Sequence, residues 1–138
     1  MKIMTEWGEK LDRNHPLQEY PRPQMERSSY LNLNGVWNYA ITKTMDTPAA
    51  YDGEIVVPFS PECVLSGVEK VVMPDDVLHY EKTFEIPEGF IKDRVLLNFG
   101  AVDYKCEVYI NGVFCGDHVG GYNPFSIDVT GKVTEGEN

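Results

Sequence analysis

The most constraining feature of this sequence is a strict alternation of apolar and polar residues that recurs along most of its length. Trp37, Tyr39 and Ile41 alternate with Asn38, Ala40 and Thr42. Tyr80, Phe84 and Ile86 share one parity, opposite His79, Glu81, Thr83 and Glu85. Val95, Leu97 and Phe99 form another such set, and Phe125, Ile127 and Val129 alternate with Ser126, Asp128 and Thr130. Period two places successive side chains on opposite sides of a strand, so each segment reads as a β-strand with one buried and one wet face. Only Ser60 to Val68, after Pro58 and Pro61, reads as a short helix or irregular turn. Six or seven strands with almost no helix predict an all-β antiparallel sandwich.

The sharpest local signal lies between Tyr104 and His118, where two apolar runs flank Asn111-Gly112. That pair suits a two-residue type I′ turn, in which both residues take positive φ. A regular hairpin on this turn sets Ile110 opposite Val113, Val108 opposite Cys115 and Cys106 opposite Asp117. Cys106 and Cys115 are then diagonal neighbours, with Cβ atoms roughly 7 Å apart, beyond the ~4 Å that a disulfide spans. Both are expected to be free thiols. The same parity puts Tyr109 and Phe114 together on the face opposite Val108 and Ile110, an aromatic pair that something is expected to cover.

Before these strands, residues 1–30 read as an irregular lead-in. His15-Pro16, Tyr20-Pro21, Arg22-Pro23 and Ser28-Ser29 punctuate it, and each X-Pro step pushes the preceding residue out of helix. The sandwich is expected over 31–138. A chain of 138 residues fits one domain of ordinary size. It has no room for a (β/α)₈ barrel, which needs about 250 residues. With 12 Lys and Arg against 22 Asp and Glu, the net charge of −10 disfavours nucleic acid and anionic membranes as partners. No apolar run approaches the ~20 residues of a membrane span. Residues Met1 to Gly8 hold no apolar stretch fit for a signal peptide, so a cytoplasmic chain is expected.

Few residues invite a chemical role. Three cysteines without C-x-x-C spacing and three scattered histidines make neither a disulfide framework nor a metal site. No serine sits on a nucleophile-elbow sequence beside His118. Gly120-Gly121 lacks the Lys-Ser/Thr that follows in a phosphate loop, and reads as a sharp exit from the hairpin. Asp75-Asp76 could hold calcium or sugar hydroxyls, but a solvated turn after Pro74 is the plainer reading. Trp37, Tyr39, Tyr80, Phe84, Phe99 and Phe125 are expected in the core, and Tyr122 is left over.

A resemblance adds to this. Arg22-Pro23-Gln24, Leu31 to Trp37, Val57-Pro58-Phe59-Ser60-Pro61-Glu62 and Leu65-Ser66-Gly67 are followed by His79-Tyr80-Glu81-Lys82-Thr83-Phe84. Arg94 to Tyr104, Asn111-Gly112, His118 to Phe125 and Asp128-Val129-Thr130 complete the series. In this order, over roughly residues 20 to 138, the motifs resemble the N-terminal sugar-binding domain of glycoside hydrolase family 2, which includes β-galactosidases, β-glucuronidases and β-mannosidases.

The resemblance implies a galactose-binding-domain-like jelly roll that precedes an immunoglobulin-like domain and a catalytic barrel. It implies a retaining glycosidase whose two catalytic glutamates lie in that barrel, so no catalytic residue is expected in this chain, and no cofactor or metal. Substrate-rim candidates are Asp75, Asp76 and His79 before the Tyr80 strand, and His118 and Tyr122 after the hairpin. Tyr109 and Phe114 are the domain-interface candidates. In the β-galactosidase branch an aspartate after the hairpin binds sugar and sodium; Gly120-Gly121 stands near that point here, so the sodium role does not carry over. A family strand that follows the position of Asn138 is absent, which predicts a sandwich short of its last strand and self-association through an open edge. The competing readings are a self-standing carbohydrate-binding module and a purely structural packing domain.

Overall fold

The computed structural model describes residues 3–138. Met1 and Lys2, the start of the lead-in, lie outside them. The described chain is all-β with antiparallel pairing throughout, as the alternation requires, and it forms two compact units that meet in sequence between Lys82 and Thr83.

The first unit is built on a three-stranded sheet. Its central strand β1 (Gly35–Thr42) pairs with β2 (Gly53–Val57) on one edge and β3 (Val77–Glu81) on the other. Trp37 lies opposite Ile55 and Tyr39 opposite Tyr80. Tyr39, Ala40, Ile55 and Val56 are the buried apolar residues here. Burial of adjacent residues on both β1 and β2 means that both faces of the sheet are covered at its centre. Ala40 is therefore inside, not on the wet face that alternation assigned to it. Its small side chain suits a face where another layer approaches closely.

The lead-in packs against this unit as well. It contains a short α-helix, α1 (Glu6–Glu9), whose first turn is capped by the Thr5 hydroxyl accepting from the Gly8 N–H at 3.2 Å, and a 3-10 turn over Pro23–Met25. Pro16 is fully buried. The Asn14 carbonyl oxygen stands 2.6 Å from where a Cβ on Gly35 would be, and the Arg13 guanidinium 2.8 Å from one on Gly67. Both glycines have left-handed φ, +119° and +82°. The lead-in is thus irregular yet seated, with glycine at the two points of closest approach.

Between β2 and β3 a 3-10 turn over Val64–Ser66 takes the place expected for a short helix or turn. Its fully buried Ser66 hydroxyl donates to the Cys63 carbonyl at 2.7 Å and accepts from the Val68 N–H at 3.1 Å.

The expected strand through Tyr80, Phe84 and Ile86 is broken. β3 ends at Glu81 and β4 (Glu85–Ile86) starts after a gap, because the chain changes partner. The Lys82 ammonium donates to the Val36 carbonyl at 2.9 Å and lies 5.9 Å from the Trp37 ring centre. Phe84 instead exchanges backbone hydrogen bonds with Asn138 at 3.1 and 2.9 Å. Tyr80, expected in the core, is 41% exposed. Its hydroxyl is nevertheless pushed up to about 12, by burial first and by the Glu62 carboxylate second.

The second unit, Thr83–Asn138, contains three strand pairs. β4 pairs with β9 (Gly136–Glu137). β5 (Leu96–Phe99) pairs with β8 (Phe125–Asp128), setting Leu97 opposite Ile127 and Phe99 opposite Phe125. β6 (Lys105–Ile110) and β7 (Val113–Val119) form the hairpin, with Asn111 and Gly112 at φ +51° and +75°, as a type I′ turn demands. Ile86, Ile110, Ile127, Val129 and Val133 are buried here.

The hairpin register departs from expectation beyond Tyr109 and Phe114. An irregularity between Val108 and Tyr109 sets Val108 opposite Gly116, not Cys115, and Cys106 opposite His118, not Asp117. Cys115 is the extra residue of a β-bulge. Gly116 lies under Ile127 of β8, whose Cδ1 is 3.4 Å from the position a Cβ would take. A Cβ at this register position would sit in ordinary van der Waals contact with β8. Cys63, Cys106 and Cys115 are free thiols.

At the end of β8 the Asp128 carboxylate accepts from Thr130 N–H (3.0 Å), Thr130 hydroxyl (2.6 Å) and Arg94 Nη2 (2.8 Å). The Thr130 hydrogen bonds first, then Arg94, hold its pKa down at about 2 against 3.8. A depressed carboxylate contributes stability that is fully present above the unfolded pKa and is lost as pH falls through the folded one. Asp128→Asn should therefore flatten the loss of stability between about pH 4 and pH 2, read as urea midpoints across that window. Equal slopes in both proteins would contradict this.

Candidate functional site

The rim candidates fall into two groups, one in each unit. In the first unit the antiparallel register of β1 and β3 brings Thr42 opposite Val77 and Ala40 opposite His79. Lys43, just past β1, thereby reaches the turn before β3. Its ammonium lies 2.9 Å from Asp75 and 2.7 Å from Asp76. The Met73 N–H donates to Asp76 at 2.7 Å. Lys43 first, then backbone hydrogen bonding, holds both carboxyls below the usual carboxylate range, and the two carboxylates raise Lys43 in turn.

His79 joins this group from the strand itself. Its Nε2 is 2.9 Å from the Thr42 hydroxyl and 3.2 Å from the Thr44 carbonyl. The Thr42 hydroxyl donates to that carbonyl at 2.8 Å, so its proton is engaged. Both neighbours of Nε2 are then acceptors, which makes Nε2 the protonated donor nitrogen and leaves Nδ1 for another partner. Asp75 and Asp76 are thus brought together on Lys43, while His79, near them in sequence, is held by Thr42 and Thr44. Ionised aspartates of this kind accept hydroxyl protons; they do not serve as general acids.

In the second unit the two candidates part company. The His118 ring stacks on Phe125, with centroids 4.0 Å apart and planes 10° off parallel, and Phe125 stacks on Phe99 at 4.7 Å. His118 Nε2 is buried and has no hydrogen-bond partner among the described residues. Tyr122, four residues on, is 94% exposed. The Gly120 N–H donates to the Tyr104 carbonyl at 2.7 Å, continuing the hairpin register past β7.

Sequence reasoning missed Asp103. The bulge shifts the register so that residue 103 falls opposite 121, and the Asp103 carboxylate oxygen stands 2.5 Å from where a Cβ on Gly121 would be. A regular two-residue hairpin places 103 one step away, so only the bulge could have revealed it. On the outer face of the hairpin Tyr109 and Phe114 meet edge to face, centroids 5.5 Å apart, and each is about half exposed. The Tyr109 hydroxyl donates to Glu107 at 2.7 Å. Behind the hairpin, burial pushes the Cys106 thiol up.

A separate cleft of about 260 Å³ in the first unit is bounded by Met4, Leu11 and Arg13 of the lead-in and by Val64 and Leu65. None of the candidates borders it.

Comparison with known proteins places these features. The sequence model for glycosyl hydrolases family 2, sugar binding domain, matches residues 30–138. A β-glucuronidase of Streptococcus agalactiae serotype V is 30% identical over 109 residues, 78% of this chain and 18% of that protein. A β-galactosidase of Thermoanaerobacter pseudethanolicus is 39% identical over 57 residues, 41% of this chain and 8% of that protein. Among solved structures, a β-glucuronidase from an uncultured Clostridium species superposes with a TM-score of 0.59 at 26% identity, over 77% of this chain and 20% of that one. The chain thus spans about a fifth or less of the length of these relatives. The matched segment begins where β1 is about to start and runs to the end of β9, so this chain belongs to the sugar-binding domain family of glycosyl hydrolases family 2.

Proposed function

We propose that this chain is the non-catalytic N-terminal module of a retaining family 2 glycosidase, acting as scaffold and as part of the rim of the sugar pocket. The observation that carries the reading is the family match over 30–138, joined to a span of only about a fifth of the relatives' length. Retaining hydrolysis needs two carboxyls about 5 Å apart, one of them a proton donor. The adjacent Asp75 and Asp76 do not supply that pair, since both are ionised against Lys43. The catalytic pair belongs to a barrel outside this chain.

The exposed Tyr109–Phe114 pair supports docking against that barrel or the immunoglobulin-like domain, because half-exposed aromatics in mutual contact are an efficient interface anchor. The Asp75–Asp76–His79 group supports the rim role. Its ionised acceptors and the Nδ1 of His79 are suited to accepting hydroxyl protons.

The test is turnover of nitrophenyl β-galactoside and β-glucuronide by the purified 138-residue chain. No hydrolysis is expected, since no covalent glycosyl intermediate forms without a paired nucleophile and acid. Turnover that disappears when Asp75 or Asp76 is replaced by alanine would overturn the reading.

A further inference from the structure

The sequence holds two Asn-Gly steps, Asn34-Gly35 and Asn111-Gly112, and the fold treats them in opposite ways. Asn34 is half-buried, and its amide nitrogen donates to the Pro16 carbonyl at 3.4 Å. Gly35 is buried, lies opposite Val57 as the first residue of β1, and has the Asn14 carbonyl against it. Asn111 and Gly112 are exposed and lie between the ends of β6 and β7. The Gly112 N–H has no hydrogen-bond partner among the described residues. Apart from its chain neighbours, nothing stands within 4 Å of where its Cβ would be.

Asn111 also ties the hairpin tip to the segment that follows β8. Its Nδ2 donates to the Lys132 carbonyl at 3.2 Å and to Asn138 Oδ1 at 3.1 Å. Asn138 Oδ1 accepts from the Thr134 N–H at 2.9 Å as well, and Asn138 Nδ2 donates to the Thr134 carbonyl at 2.7 Å. The Asn138 backbone is bonded in turn to Phe84. One primary amide thus joins the turn to residues 132–138 and, through Asn138, to the start of β4.

We propose that Asn111 is a self-modification site, and that its deamidation unties the hairpin tip from residues 132–138. The Gly112 nitrogen, its proton taken by solvent base, bonds to the Asn111 side-chain carbonyl carbon. The bond from that carbon to Nδ2 breaks and ammonia leaves. Water then opens the imide ring at either carbonyl, giving aspartate or, with the main chain rerouted through the side chain, isoaspartate. The sum is water in and ammonia out, with no oxidant or reductant. The turn must rotate to bring nitrogen to carbon, which an exposed glycine with open space around it permits and the covered, paired step at 34–35 does not.

The product is a carboxylate, an acceptor without a proton, facing two acceptors. Both hydrogen bonds from residue 111 are lost. The Lys132 ammonium donates to the Phe114 carbonyl at 2.9 Å, so pairing with the new charge would give up that bond. The added charge falls in a unit whose carboxylates already outnumber its cations.

The experiment is timed incubation of the 138-residue chain at mildly alkaline pH, with peptide mass mapping of both Asn-Gly steps. The peptide holding Asn111 should gain the mass of an amide-to-acid conversion about tenfold or more faster than the one holding Asn34, as reaction through local opening predicts. Its rate should rise with pH, because the attacking nitrogen must lose its proton. Amide hydrogen exchange then reads the clamp. In Asn111→Asp the amides of Thr134, Asn138 and Phe84 should exchange about tenfold faster, the effect of losing one or two hydrogen bonds. Leu97 and Ile127, in the β5–β8 ladder, should be unchanged. Asn111→Gly keeps a residue suited to positive φ and removes the amide; it should speed the same three amides with no mass gain at 111. Conversion at Asn34 as fast as at Asn111, unchanged exchange at the three amides, or a rise that spreads equally to Leu97 and Ile127 would each overturn the proposal. The scaffold reading stands apart from it and is tested by turnover alone.

Discussion

Replacing Gly35 by alanine should lower the stability of the chain by about 3 kcal/mol, read as a shift of the urea midpoint at constant slope. Two costs combine. A φ of +119° lies where side chains are rarely found, and holding alanine there costs ~1–3 kcal/mol. The new Cβ would also stand 2.6 Å from the Asn14 carbonyl oxygen. That obstacle is backbone, fixed near the fully buried Pro16, and it cannot rotate away as a side chain would. Relief requires the lead-in to lift or β1 to bend, and β1 is paired on both edges.

Gly67 provides the contrast within the same unit. Its φ of +82° is also left-handed, but the close neighbour is the far end of Arg13, which can swing aside. Gly67→Ala should cost only about 1 kcal/mol, the ordinary penalty for a side chain at a left-handed helix end. If Gly35→Ala falls within about 0.5 kcal/mol of the parent, the lead-in does not seat on β1 in solution.

What was legible in the sequence follows from which interactions are local. The alternation around Tyr39, Leu97 and Ile127 marks strands because period two is a property of a single segment, and Asn111-Gly112 marks its turn because positive φ is demanded of two adjacent residues. The break at Lys82 to Phe84 was hidden, since the alternation runs through it while the pairing partner changes from β1 to residues 136–138. The bulge at Cys115 was hidden for a similar reason. It depends on how Val108, Gly116 and Ile127 fit in three dimensions, and its one local sign is the lone glycine at 116.

The candidate site divides in the same way. Asp75, Asp76 and His79 are near neighbours in sequence and could be named together. Lys43, the partner of the two aspartates, is brought to them from the end of β1 by strand pairing. Asp103 went unseen because its placement against Gly121 exists only in the bulged register. His118 was visible as a polar residue in a promising loop, yet its ring parity puts it on the buried face with Cys106 and Val108, in the stack with Phe125.

Ile127→Ala should destabilise the second unit by about 2–4 kcal/mol, the range for removing a buried aliphatic side chain together with the cavity it leaves. Ile127 is 8% exposed, pairs with Leu97 across β5 and β8, and meets the bare backbone of Gly116. Three of its atoms, Cδ1, Cγ2 and Cγ1, lie 3.4, 3.5 and 3.6 Å from the site of a Gly116 Cβ. With no side chain at 116, nothing on that side can relax into the space, so the loss should fall toward the upper part of the range. Gly116→Ala alone should shift stability by less than about 1 kcal/mol, because its φ is not left-handed and its Cβ would make contacts of ordinary length. In the double variant the alanine methyl at 116 enters the space vacated at 127. The two changes should therefore be non-additive, with the double variant more stable than Ile127→Ala by about 0.5–1 kcal/mol. A double-mutant cycle by urea denaturation measures this coupling. Simple additivity would show that β8 does not rest on the bulged strand at Gly116.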